Sequence, residues 1–162
     1  MSVTSDQLYR RVGAEGVHQP IAAGLKASVT VYRNTIALLE AASRYLKNAD
    51  SPAATDIVIG MIGDVAGGTA ANSGQGITGG STNGAVIVNC DTGTFLLASG
   101  TGADALTEAN AGSNVYVVDS ITVGATDGGG TRPVAGQMLP SDVTTPTGYV
   151  AVKLTGAAGN GP

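Results

Sequence analysis

Residues 114–140 read NVYVVDSITVGATDGGGTRPVAGQMLP. Runs of β-branched and apolar residues occupy 114–119, 120–123 and 133–139, and a Gly-rich turn at 127–130 separates the last two. Each run is strand-length and bounded by turn residues, which is a β signature with no room for a helix of ordinary size. The same rhythm extends outward. Residues 85–90, 94–98 and 149–154 read as strands, with Asp91-Thr92-Gly93 as the turn between the first two. Upstream, residues 27–33 and 56–64 (DIVIGMIGD) are further β-type runs. Residues 106–111 supply at most one helical turn. Several short strands at close spacing predict a mainly β fold, a single compact β-barrel/sandwich-like domain. We place it at residues 28–155, after an extended N-terminal arm (1–27) and before a flexible tail (156–162).

Two segments resist this rhythm. Residues 35–47, TIALLEAASRYLK, carry apolar residues at helical spacing, with Asn34 available as a cap. Propensity alone favours a helix there, although IALLE and RYLK also read as two short strands around an AAS turn. Residues 67–84, GGTAANSGQGITGGSTNG, are predicted to be a long loop, because they offer little burial against the entropy of ordering them.

Composition narrows the function classes. Of 162 residues, 43% are hydrophobic and only 12% charged; a typical domain is about 25% charged. A chain so apolar and charge-poor is not disordered as a whole. No run approaches the roughly 18 apolar residues of a membrane span. Residues 1–47 hold six of the eight basic residues against three acids, a balance of +3, and residues 48–162 carry −7. A phosphate backbone is repelled by most of such a chain, so no nucleic-acid partner is expected, nor a membrane. Arg10, Arg11 and Lys26 are the cations placed to contact a protein partner.

The candidate chemistry is sparse. Asp91-Thr92-Gly93-Thr94 matches the aspartic-protease signature, and a short chain would need to dimerise to bring two such carboxylates together. Asn89-Cys90 breaks the apolar run before it, and Asp-Thr-Gly is also a good β-turn. No glycine cluster is followed by the Lys-Ser/Thr of a phosphate loop. Cys90, the only cysteine, reads as a small buried residue, and His18, the only histidine, has no triad context. Asp119 and Asp127 lack the spacing of a calcium loop. No enzyme activity, metal or cofactor is expected.

From residue 85 onward the chain resembles the small structural proteins encoded beside the major capsid protein in tailed bacteriophages. The matching features are Thr107, Ala109, Gly112 and the Tyr116-Val117-Val118-Asp119 stretch, then Val123 followed by residues 126–136 (TDGGGTRPVAG). VTVYRNTIALLE also resembles that family's opening strand pair, which tips residues 35–47 towards strand. The chain departs from the family in lacking basic residues at 85–90 and in its long 67–84 loop. The resemblance implies a head decoration, or cement, protein, made in the host bacterial cytoplasm and bound to the outer capsid surface of the virion. Its partners would be the major capsid protein and copies of itself. Few aromatic anchors in a small domain favour many modest contacts, and hence trimers, with dimers as the alternative. The competing readings are a phage tail or fibre module, and a homodimeric retroviral-type aspartic protease using Asp91.

Overall fold

The computed structural model describes residues 20–66, 76–142 and 144–154. The first seven strands are β1 (Ile21–Gly24), β2 (Thr30–Val31), β3 (Ile36–Leu39), β4 (Leu46–Lys47), β5 (Ile57–Val65), β6 (Ile77–Thr78) and β7 (Ile87–Asp91). The remaining five are β8 (Thr94–Ser99), β9 (Asn114–Val117), β10 (Thr122–Gly124), β11 (Val134–Met138) and β12 (Tyr149–Leu154). Two 3-10 turns, Gly102–Asp104 and Glu108–Asn110, are the only helical elements among the described residues. The mainly β, barrel-containing domain expected from the spacing of apolar runs is therefore what forms.

β8 to β12 make a closed five-stranded barrel in the order β10-β8-β12-β11-β9. All neighbours are antiparallel except β10 and β8, whose parallel pairing closes the ring. The N-terminal half makes a five-stranded sheet in the order β1-β7-β5-β3-β4. Its ends meet through one parallel bridge, Leu25 to Leu46, where Lys26 N donates to Leu46 O at 2.9 Å.

The two halves share one topology. β1, β3, β4, β5 and β7 follow the same order and the same directions as β8, β9, β10, β11 and β12. The register agrees residue by residue. Gly24 opposite Ile87 corresponds to Ala98 opposite Tyr149, and Leu39 opposite Leu46 to Val117 opposite Val123. Both halves carry a bulge at the same place. Val58 and Gly60 pair with Leu38 and Ala37, leaving Ile59 extra; Val134 and Gly136 pair with Tyr116 and Val115, leaving Ala135 extra. Glycine is required at both bulges. A Cβ on Gly60, where φ is 148°, would strike the Asp91 carbonyl, and one on Gly136 would strike that of Lys153. Turn bonds repeat too: Asn34 N donates to Ile62 O and Gly112 N to Met138 O, both at 2.8 Å. The fold is thus one five-stranded unit used twice.

Two apolar clusters follow. Leu25, Ala37, Leu46, Ile59, Ile62, Val88 and Cys90 fill the N-terminal sheet, joined by Val31 and Ile77 from the β2–β6 ribbon. Val115, Val123, Ala135, Met138, Val150 and Val152 fill the C-terminal barrel, together with Phe95, Leu97, Val117 and Leu154. Ile36, Leu38, Val58 and Met61, on the opposite face of β3 and β5, belong to this second cluster and weld the halves together.

This arrangement decides one open segment and corrects two sequence expectations. Residues 35–47, a helix by propensity and a strand pair by resemblance, are β3, a turn and β4. Ile36, Ala37 and Leu38 are all fully buried, because β3 lies between two cores, and a strand can bury both faces where a helix this amphipathic cannot. Packing overrides propensity, and Arg44 turns the chain with φ at 63°. The arm boundary at residue 27 falls inside the sheet, since β1 pairs with β7 and Leu25 is fully buried. Of the 67–84 loop, residues 67–75 lie outside the described residues, but Ile77 and Thr78 pair with β2 and Ile77 enters the core. The tail at 156–162 is also outside them.

Candidate functional site

The TDGGGTR loop joins β10 to β11 and is held at its base. Arg132 Nη1 donates to both oxygens of Asp104 at 2.8 Å, and Thr126 Oγ1 donates to Asp104 Oδ1 at 2.5 Å. Asp104 itself arrives on the 3-10 turn and stands against Gly100 and Gly124; a Cβ at either would collide with it. The Thr126 hydroxyl, with Arg132 beside it, holds the Asp104 carboxyl below the usual carboxylate range against the opposing effect of burial. Asp127 O accepts from Thr131 N and Arg132 N at 3.0 Å each, and Asp127 Oδ1 accepts from Gly129 N. Gly128, Gly129 and Gly130 all have positive φ, which only glycine adopts without strain over three successive residues. The result is an exposed loop with a fixed base. It offers backbone donors and acceptors and one carboxylate, that of Asp127.

Close by, Thr107 and Asn110 form a reciprocal cap on the second 3-10 turn, with Thr107 N donating to Asn110 Oδ1 at 2.8 Å. Gly112 supplies the positive φ that leads into β9. Asp119 accepts from Ile121 N and Thr122 N at 3.0 and 2.9 Å, so it shapes the β9–β10 turn. The residues that carry the resemblance are thus spread over the C-terminal barrel: Gly112 and the 126–132 loop lie at one end of β9 and β10, the Asp119 turn at the other, and Val117, Val123 and Ala135 in the core.

The other candidates fall as follows. Arg10, Arg11 and His18 lie outside the described residues. Lys26 is held by Glu40, with Nζ to Oε1 and Oε2 at 2.7 and 2.8 Å, and this bond draws the Glu40 pKa down. Arg33 pairs with Asp64 at 2.5 Å and Lys47 with the buried Asp56 at 2.7 Å. Three of the four bases described in the N-terminal half, Lys26, Arg33 and Lys47, are thus paired within that half. Asp91 ends β7 at the junction between the halves, and its backbone is wedged against Gly60. Cys90 is fully buried, and burial, with Asp91 adjoining, pushes its thiol up to about 12, so it packs as a small apolar residue. Among the described residues, no group of three or more His, Cys, Asp or Glu side chains is placed to hold a metal ion. No described helix is long and apolar enough to cross a membrane.

Sequence reasoning missed one pair. Ile87 and Tyr149 are the exposed large hydrophobics of the described residues, each 39% accessible. They hold the same position in the two halves, opposite Gly24 and Ala98. Only the shared register makes the pair visible. Comparison with protein-family models, curated proteins and solved structures returns no match for this chain.

Proposed function

We propose that this chain is a virion structural protein of the head-decoration type, which binds the outer surface of a phage capsid and stabilises the shell. The observation that carries the reading is the locked TDGGGTR loop. The most specific part of the resemblance to capsid-neighbouring proteins is an exposed loop whose base is clamped by Asp104, Thr126 and Arg132, and on this reading it is the contact element. A loop clamped at its base has less freedom to lose on binding than an untethered one. Ile87 and Tyr149 add one exposed apolar side chain on each half, which suits a partner whose surface repeats. Many modest contacts multiplied over a lattice give tight attachment, because each raises the effective concentration for the next. A ligand that binds only the assembled shell then stabilises it by mass action.

The test is thermal release of DNA from particles that lack the protein, with and without purified protein added back. Decorated particles should release DNA at higher temperature, while both kinds assemble. Equal release temperatures at full occupancy remove the cement reading. Asp91→Asn in the same experiment separates the protease alternative. A cement protein keeps its shell binding, whereas a protease loses all cleavage.

A further inference from the structure

The contact between the two halves is head-to-tail. On β3 and β5 of the N-terminal half, Ile36, Leu38, Val58 and Met61 are at most 1% exposed and join the core of the C-terminal barrel. Ile36 N also donates to Ser120 O at 2.8 Å, and Ser120 Oγ reaches Asp50 at 2.6 Å. A two-fold contact buries the same patch on both partners. Here it does not. The counterparts on β9 and β11 are Asn114, Tyr116, Val134 and Gln137, of which Asn114 and Gln137 are exposed and Tyr116 and Val134 partly so.

A head-to-tail contact leaves one free half-interface at each end of the pair. One is the β9–β11 face just named. The other is the end of the N-terminal sheet where β3 finishes and β1 begins, with the turn at residues 41–44. In the C-terminal barrel the corresponding positions, Phe95 and Val117, are 6% and 0% exposed. In the N-terminal half, Ile21 and Leu39 occupy those positions and are only partly buried. Among the described residues neither surface is covered, and each occupies the position equivalent to one side of the contact made within the chain.

We propose that a second copy of this chain docks its β9–β11 face, through Asn114, Tyr116, Val134 and Gln137, onto the open Ile21–Leu39 end of the first, repeating between chains the contact made within one. The polar pair Asn114 and Gln137, in place of Ile36 and Met61, makes the contact between chains weaker than the one within, so copies separate when dilute and associate when crowded. Head-to-tail repetition closes into a ring or runs on as a filament. The proposal rests on the fold alone and stands or falls separately from shell binding.

The test uses the full chain. Asn114 corresponds to Ile36, and Ala42 lies in the turn that corresponds to the one holding Ser120; both are exposed. Asn114→Cys and Ala42→Cys are prepared separately, mixed at high concentration and mildly oxidised. The buried Cys90 does not compete. The expected result is a disulfide-linked mixed dimer in the mixture and none in either variant alone. A dimer of Asn114→Cys by itself indicates a two-fold contact and overturns the proposal, as does the absence of the mixed dimer. A partner of another kind, or residues 1–19 of the same chain, covering the open end would give that absence. Sedimentation of the unmodified chain provides a second reading: its average mass should rise with concentration, and Tyr116→Lys should abolish the rise. A monomer at every concentration refutes the contact.

Discussion

Met61 and Gln137 hold the same register position in the two halves, opposite Ile36 and Asn114 on one side and Asp91 and Lys153 on the other. Their environments are opposite. Met61 is 1% exposed within the cluster that joins the halves, whereas Gln137 is exposed and its amide donates to Gly112 O at 2.7 Å. Exchanging the two residue types should therefore cost very different amounts. Met61→Gln keeps the length of the stem but loses apolar contact and buries an amide in an apolar cluster. An unpaired buried amide costs about 1–3 kcal/mol and the lost apolar burial about 1 kcal/mol more. A total of about 3 kcal/mol lowers the melting temperature of a chain this size by roughly 6–12 °C. Gln137→Met loses one exposed hydrogen bond and should stay within about 1 kcal/mol of the unmodified protein. The assay is urea and thermal unfolding, followed by circular dichroism and fitted as two-state where the transitions coincide. Equal costs for the two exchanges, or a Met61→Gln protein as stable as the original, would refute the claim that this face is buried on one half and open on the other.

Gly60→Ala and Gly136→Ala should each destabilise the fold by at least the roughly 1–3 kcal/mol of an overpacked core, since either Cβ strikes a carbonyl on the neighbouring strand; chemical denaturation reads this, and a neutral result at either bulge contradicts the shared geometry. Asp104 titrates below its ordinary range in the folded chain, so its contribution is whole above that range and is lost as pH falls through the lowered value. Asp104→Asn should accordingly be less stable than the original at neutral pH, with the gap closing in acid; a pH-independent gap would show that the charge is not what clamps the loop.

The β class, the barrel-forming C-terminal strands and the turn at Asp127 were legible because they rest on local physics. β-branched runs favour extended backbone, and Gly and Asp supply the turns between them. The observed strand Tyr149–Leu154 matches its run of residues end to end. Residues 36–39 were legible only in part: helical spacing and propensity point one way, the alternative of two short strands and the resemblance the other, and burial between two cores selects the strand. The clamp on Asp104 was hidden for another reason: Arg132 lies 28 residues further along the chain, and no short-range pattern marks such a pair. The duplication was hidden most completely. Side chains at equivalent positions differ: Ala37 and Val115, or Cys90 and Val152, because a core asks only for apolar residues of suitable volume, and Met61 and Gln137 because one is buried between the halves and the other is exposed. Loops of unequal length then destroy any fixed spacing between the two copies. What the halves share is hydrogen-bond register and the two glycine bulges, and these exist only once the strands are paired in three dimensions.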